Sequence, residues 1–306
     1  MTTRARFLTT ALALAGVASL VTGCAATGAS GSESDSSGYA KDSGTLVFGV
    51  VPDSANTQTN YQPLMDYIAK ETGKKVEYHE STDYAALIEA SIAGQIDVAS
   101  FSGLTYVTAT QNGAKLDPIS SVITAEGQEP GYYSEAIVPK GSPITTLAEM
   151  KGKKVCFVDP SSTSGYLFPS AELLKAGVDP TKDVTPVFAG KHDVSVQKVG
   201  EGKECDAGFA EDSEVAKSDK VTVIGKVMVP GAPIVESDTL PDDVKQQLKD
   251  ALANVTVDQM VAAGITSADS ADFRSSFSAT TPVDDSYYDQ VRQTCETTKS
   301  AQCQKK

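Results

Sequence analysis

Residues 45–81 read TLVFGVVPDSANTQTNYQPLMDYIAKETGKKVEYHES. The first seven are apolar without alternation, the pattern of a strand buried on both faces. Pro52-Asp53-Ser54 follows as its loop, and Tyr61 to Thr72 carries Leu64 and Ile68 at helical spacing until Gly73 stops it. KKVEYHES (74–81) predicts a second strand. Asp83 is placed to cap a helix bearing Ala86, Leu87, Ala90 and Ile92, which ends at Gly94. IDVASFS (96–102) predicts a third strand, with a further helix from about Leu104 to Thr110. This alternation of strand and helix indicates βαβ units on a mostly parallel sheet.

The pattern resumes beyond a connection near 124–135 (TAEGQEPGYYSE). KKVCFVD, DVTPVFAG, CDAGFA and KVTVIGKV are four strand candidates with helices between them. After about Pro230 the chain turns helical, at 242–254, 256–263 and 284–298. This order predicts one α/β lobe, a second α/β lobe and a return of the chain, with a cleft between the lobes. Ligands of open α/β sheets sit beyond the carboxyl ends of the strands, so binding residues belong in the loops that follow strands in both lobes.

Ahead of this body, Arg4 and Arg6 precede an apolar run, FLTTALALAGVASLV (7–21), which is the length of a signal-peptide core and short for a membrane span. It ends in Val21-Thr22-Gly23-Cys24, which resembles a bacterial lipobox and makes Cys24 the expected lipidated N-terminus. Residues 25–43 (AATGASGSESDSSGYAKDS) are too polar and glycine/serine-rich to bury a core, and read as a tether. The expected location is the outer face of the bacterial cytoplasmic membrane, held by the lipid alone.

The 306 residues carry 26 basic and 40 acidic side chains, a formal net charge of −14. That balance excludes a nucleic-acid binder, which needs a basic stripe, and a polybasic membrane-surface protein. With 40% hydrophobic and 22% charged residues, the chain is an ordinary globular one of about two domains. The two histidines, His79 and His192, make a histidine-rich metal site improbable, and no metal or nucleotide motif is present. No cofactor is expected. Setting Cys24 aside leaves Cys156, Cys205, Cys295 and Cys303, an even number in an exported chain, with three possible pairings. Cys295 and Cys303 are close in sequence. Pairing them leaves Cys156 with Cys205, at similar points of two strand-like segments, and this is the pairing expected.

Asp159-Pro160-Ser161-Ser162-Thr163-Ser164-Gly165-Tyr166-Leu167-Phe168-Pro169 follows the strand KKVCFV and precedes a helix-like run. Three hydroxyls and free backbone N–H groups at a helix N-terminus suit a tetrahedral oxyanion, although a serine-rich cap reads the same way. Pro169 leaves the start of that helix open.

Three stretches, DPSSTSGYLFP (159–169), TDYAALIEASIAGQIDVASFSGLTYV (82–107) and VFAGKHDVSVQKVGEGKECDAGFAEDS (187–213), resemble the substrate-binding proteins of phosphonate, phosphite and phosphate ABC importers. The resemblance spans roughly residues 45–240 with the order of motifs preserved. It implies a type II periplasmic-binding-protein fold, with 44–134 plus 236–306 as one lobe, 135–235 as the other, and a two-crossing hinge. It also implies a monomer that captures a small phosphorus oxyanion by lobe closure and passes it to a permease driven by a separate ATPase. By position, Ser162, Thr163 and Ser164 match the turn that binds phosphorus oxygens, and Tyr84 matches a cleft tyrosine of the first lobe. His192 matches a ligand-binding histidine, and Asp212 an acidic position that accepts a hydrogen bond from a protonated ligand oxygen. Phe101 and Ser102 are the remaining first-lobe contacts, in a Phe-Ser-Gly-Leu segment where many relatives read Phe-Gly-Pro-Leu.

Rival readings are a receptor for another small anion or a thiamine-precursor-like ligand, a sensor or adhesin lipoprotein, and a cell-surface enzyme using Ser164 or Ser195. The enzyme reading is weak. Ser195-Val196-Gln197-Lys198 matches S-x-x-K, but no K-T-G follows, and Ser164-Gly165 lacks the first glycine of a G-x-S-x-G elbow.

Overall fold

The strand read first is β1, Thr45–Val50. In the computed structural model, which describes residues 38–125 and 127–305, Leu46, Phe48 and Val50 enter one core cluster while Val47 packs against another, as two-face burial requires. Cys24, the apolar leader and most of the tether lie outside the described residues.

A short helix α1 (Gly38–Lys41) precedes β1. Helix α2 (Thr57–Thr72) then crosses to β2 (Lys75–His79), and α3 (Tyr84–Ile92) leads to β3 (Val98–Ser100) and α4 (Gly103–Gln111). Helix α2 starts one turn earlier than its periodicity indicates and accommodates Pro63 in its second turn. Asp83 caps α3 as expected, its carboxylate accepting from the Ala86 N–H at 2.8 Å. β1 pairs in parallel with β2 on one side and β3 on the other.

The next two strands, β4 (Leu116–Ile123) and β5 (Gly131–Pro139), are absent from the sequence reading, which treats 124–135 as a connection. β6 (Lys154–Phe157), a π-helical turn at Thr163–Leu167, α5 (Phe168–Lys175), β7 (Thr185–Phe188), α6 (His192–Glu201) and β8 (Ala207–Glu211) follow. Pro169 falls in the first turn of α5, where its missing N–H has no partner to lose. A single-turn α7 (Asp212–Val215) leads to β9 (Val221–Pro230). β10 (Pro233–Ser237) then intrudes before the helices α8 (Asp242–Leu252), α9 (Val257–Ala262), α10 (Ala271–Ser276) and α11 (Asp289–Thr298), with β11 (Ala279–Pro282) between the last two.

The strand order is β2-β1-β3-β10-β4-β5-β8-β6-β7, with β11 on β4 and β9 on β5. Where the two groups of strands meet, β4 and β5 share a single residue pair, Ile123 with Gly131. β10 returns antiparallel between β3 and β4, so Pro233 to Val235 pair with the first group and not with the 135–235 segment. Each group has its own core. Leu64, Ile68, Val244 and Leu248 cover one face of the first group, and Leu87, Leu104 and Val107 the other. In the second group Val155 and Phe157 face Leu173 and Phe209, while Cys156 faces Val196, Val199 and Cys205.

Both expected disulfides are present, Cys156–Cys205 and Cys295–Cys303, each with Cα atoms 5.7 Å apart. Helix α11 packs on α4 of the first group and α5 of the second. Just ahead of it, two tyrosines hold the chain crossings. The Tyr287 hydroxyl donates to the Pro130 carbonyl (2.5 Å) and accepts from the Gly231 N–H (3.2 Å), and the Tyr288 hydroxyl donates to the Gly231 carbonyl (3.2 Å). Gly231 is closely pressed here, since a Cβ would stand 2.4 Å from Ser121 Oγ and 2.5 Å from the Val122 carbonyl oxygen. Gly231→Ala should therefore destabilise the protein by about 1–3 kcal/mol, the usual cost of overpacking, as measured by the midpoint of urea unfolding.

Candidate ligand-binding site

The loops at the carboxyl ends of β1, β3 and β8 converge on a cavity of about 90 Å³. One enclosed water needs roughly 10–15 Å³ on this measure, so the space suits a small polyatomic ion. Val51, Asp53 and Ser54 arrive from the loop after β1, Asn60 and Tyr61 from α2, and Phe101 and Ser102 from the end of β3. The second group of strands supplies Tyr132 from β5, His192 from the first turn of α6, and Glu211 to Glu214 where β8 runs into α7.

Tyr84, Phe101, Ser102, His192 and Asp212, all singled out from the sequence, line this cavity together. Ser162, Thr163 and Ser164 do not line it; they are buried behind it. Ser162 caps the π-helical turn, its hydroxyl accepting from the Gly165 N–H at 3.0 Å. Thr163 Oγ1 accepts from the Leu104 N–H at 2.7 Å, and the Ser161 carbonyl accepts from Thr105 Oγ1 at 3.1 Å, so this turn is stitched to the N-terminus of α4. The Ser164 hydroxyl is different. It is fully buried beside the Tyr132 phenol and has no hydrogen-bond partner at bonding geometry.

His192 is fixed at two points. Its backbone N–H donates to the Asp53 carbonyl (2.8 Å), and its Nδ1 accepts from the Glu211 N–H (2.9 Å). A neutral ring that accepts at Nδ1 carries its proton on Nε2, leaving one donor for the cavity. Burial keeps the ring neutral, pushing its pKa down to about 4 despite the opposing pull of Asp53, Glu214 and Asp193. The same burial pushes Asp53 up to about 7, helped by the charge of Glu211, and pushes Glu211 up to about 7. Asp212 is also raised by burial, against hydrogen bonds from backbone N–H groups. The phenols of Tyr61, Tyr84 and Tyr132 are raised by burial and remain neutral donors. Lys217, the only lysine or arginine among the described lining residues, is paired with Glu214 at 2.7 Å.

Asp53, Tyr61, Tyr132 and Glu211 also line the cavity and are absent from the sequence reading of the site. Asp53 stands in the loop after β1 and Glu211 is the neighbour of Asp212, so the rule placing ligands beyond strand ends was the available signal for both. Tyr132 lay within the segment read as a connection.

The carboxyls and the imidazole oppose one another in pH dependence. Folded Asp53 and Glu211 keep protons up to about pH 7 that the unfolded chain releases near pH 4, so the stability they contribute is full at low pH and lost as the pH rises through 7. Folded His192 refuses a proton that the unfolded chain takes up below about 6.5, so its contribution is lost as the pH falls towards 4. The Asp53→Asn, Glu211→Gln double variant should accordingly be more stable than the parent at pH 8. That advantage should shrink at pH 5, where the folded carboxyls are neutral and only the unfolded chain has released its protons, as thermal unfolding midpoints at the two pH values would measure.

Comparison with known proteins places this geometry. The sequence profile of a family described as "ABC transporter, phosphonate, periplasmic substrate-binding protein" matches residues 48–288. The chain is 37% identical over 281 residues to the phosphate-import protein PhnD of Mycolicibacterium smegmatis, covering 85% of this chain and 87% of that one. A crystal structure of a binding protein component of an ABC phosphonate transporter from Pseudomonas aeruginosa superposes with a TM-score of 0.68 at 25% identity, over 82% of this chain and 85% of that one. The Prochlorococcus marinus PhnD1 structure, in complex with methylphosphonate, superposes at 0.70 with 17% identity, over 84% and 99% of the two chains, and shows the shared type II fold. Such proteins bind and do not catalyse; Ser195, one of the weighed nucleophiles, has its hydroxyl bonded to the Phe209 carbonyl at 2.8 Å. The chain belongs to the phosphonate-binding family of periplasmic substrate-binding proteins that serve ABC transporters.

Proposed function

We propose that this protein captures a small phosphorus oxyanion in the cavity between two hinged lobes and delivers it to a membrane permease powered by a separate ATPase. The observation that carries the reading is a cavity with neutral donors and no unpaired cation. His192 Nε2 and the phenols of Tyr61, Tyr84 and Tyr132 face the space or its edge, and Lys217 is already neutralised. A buried anion needs each oxygen paired, and neutral donors achieve this without the desolvation cost of a buried cation. Ser164 adds a donor just behind Tyr132, its hydroxyl being one of the few buried groups left without a partner. Ser162 and Thr163 hold the turn in place, and Asp212 belongs to the acidic rim.

In this reading the lobes are the two groups of strands, with crossings at 124–130 and 231–232. The cross-group bonds from His192 N–H to the Asp53 carbonyl and from the Ala55 N–H to Asp193 Oδ2 (3.2 Å) are contacts of the closed form. Lipidation at Cys24 would hold the protein, as a monomer, at the outer face of the cytoplasmic membrane.

Calorimetry on ligand-stripped protein with phosphate, phosphite, methylphosphonate and aminoethylphosphonate tests the proposal. Submillimolar binding of at least one is expected, and binding of none would overturn it. Ser164→Ala should leave the unfolding midpoint unchanged, because no protein hydrogen bond is lost, while weakening the oxyanion by about 1–3 kcal/mol. Thr163→Ala should instead lower the midpoint, because it strands the Leu104 N–H.

A further inference from the structure

The donors of the cavity account for ligand oxygens that carry no proton; its carboxyls require something else. Resting on the reading that the cavity takes a phosphorus oxyanion, we propose that Asp53 is a specificity-determining residue that selects ligands with a fourth oxygen on phosphorus, as in phosphate, over ligands with hydrogen or carbon at that position.

Asp53 is held in place on three sides. Its N–H donates to the Val51 carbonyl (2.8 Å), its carbonyl accepts from the His192 N–H (2.8 Å), and its Oδ1 accepts from Thr57 Oγ1 (3.0 Å). Its Oδ2 has no hydrogen bond to the protein and belongs to a side chain that lines the cavity. Three other acids of the wall are also engaged by the protein. Glu211 Oε1 takes the Ser213 hydroxyl (2.8 Å), Asp212 Oδ1 takes the Ser213 N–H (3.1 Å), and Glu214 is paired with Lys217.

A phosphonate or phosphite has three oxygens, with or without a proton on one of them, and His192 and the phenols can engage all three; turning a P–OH towards Asp53 would put the methyl group or hydrogen against those donors instead. A carboxylate oxygen gains nothing from a ligand oxygen unless a proton lies between. Phosphate brings a fourth oxygen that supplies that proton as P–OH, or receives one from a protonated Asp53. Methylphosphonate and phosphite present a methyl group or a hydrogen there and leave a buried carboxyl unpaired. Sites built to hydrogen-bond an oxygen reject analogues lacking it far more strongly than apolar pockets reject added bulk. The charge of Glu211 beside Asp53 keeps one proton resident in the pair near neutral pH, with His192, Glu214, Tyr61 and Tyr84 as the other titratable groups around it. Either direction of proton sharing therefore remains open to a fourth oxygen and neither to a methyl group.

The test is calorimetry at pH 7 with phosphate, phosphite, methylphosphonate and aminoethylphosphonate, on the parent protein and on Asp53→Asn. The parent should prefer phosphate to methylphosphonate by roughly 10- to 100-fold, the range of one charge-assisted hydrogen bond. Asp53→Asn should collapse that ratio at least tenfold while methylphosphonate affinity holds within about threefold. An unchanged ratio in the variant, or an equal loss for both ligands, would overturn the role of Asp53. So would a parent that binds methylphosphonate, phosphite or aminoethylphosphonate more tightly than phosphate, a result that needs no variant to fold. A parent that binds none of the four would instead remove the oxyanion reading itself.

Discussion

One imidazole carries the site. His192 ties the loop after β1 to its own backbone and the end of β8 to its ring, so two groups whose strands pair at a single residue meet around it. Each bond has a chemical consequence. The bond from Glu211 fixes the tautomer, which fixes the direction of donation into the cavity. The bond to Asp53 brings a carboxyl of one group against a carboxyl of the other, and burial then forces a proton onto that pair. The bond from Glu211 and the donor that His192 aims into the cavity depend on that ring staying neutral.

Much of this was legible in the residues. TLVFGVV and KKVCFV announced strands buried on both faces, Asp83 announced its cap, and the cysteine pairing followed from two short arguments. Tyr84, Phe101, Ser102, His192 and Asp212 do share one cavity. The failures have physical causes. Residues 124–135 are rich in glycine, proline and acids, yet Gly131 onwards is a strand because β9 pairs with it over its whole length; tertiary pairing overrode local propensity. β10 was hidden by Pro230 and Pro233, the second of which opens the strand, a position that tolerates proline. Asp53 and Glu211 escaped notice because their significance is their mutual proximity, which no spacing in sequence encodes. The serine-rich turn drew attention for its hydroxyls, and two of the three serve the protein itself.

The formal charge of −14 also takes its proper place. A protein this acidic repels anions at long range, and nothing in the cavity reverses that with an unpaired cation. In the proposed site, recognition is short-range, through dipoles and hydroxyls that act once water is excluded. The negative surface is compatible with binding an anion because the two operate over different distances.

The tyrosines ahead of α11 have a mechanical meaning. A single phenol oxygen, that of Tyr287, joins the carbonyl of one chain crossing to the amide of the other, and Tyr288 holds the same glycine from its opposite end. The crossings cannot part without breaking a bond at that atom, so the two are tied together at one point. The segment supplying that tie is closed into a ring by Cys295–Cys303 and bound to α4 where Thr108 Oγ1 donates to the Gln302 carbonyl (3.1 Å). Under the proposed lobe closure, these contacts would place the axis of movement at the crossings, beside the C-terminal tail.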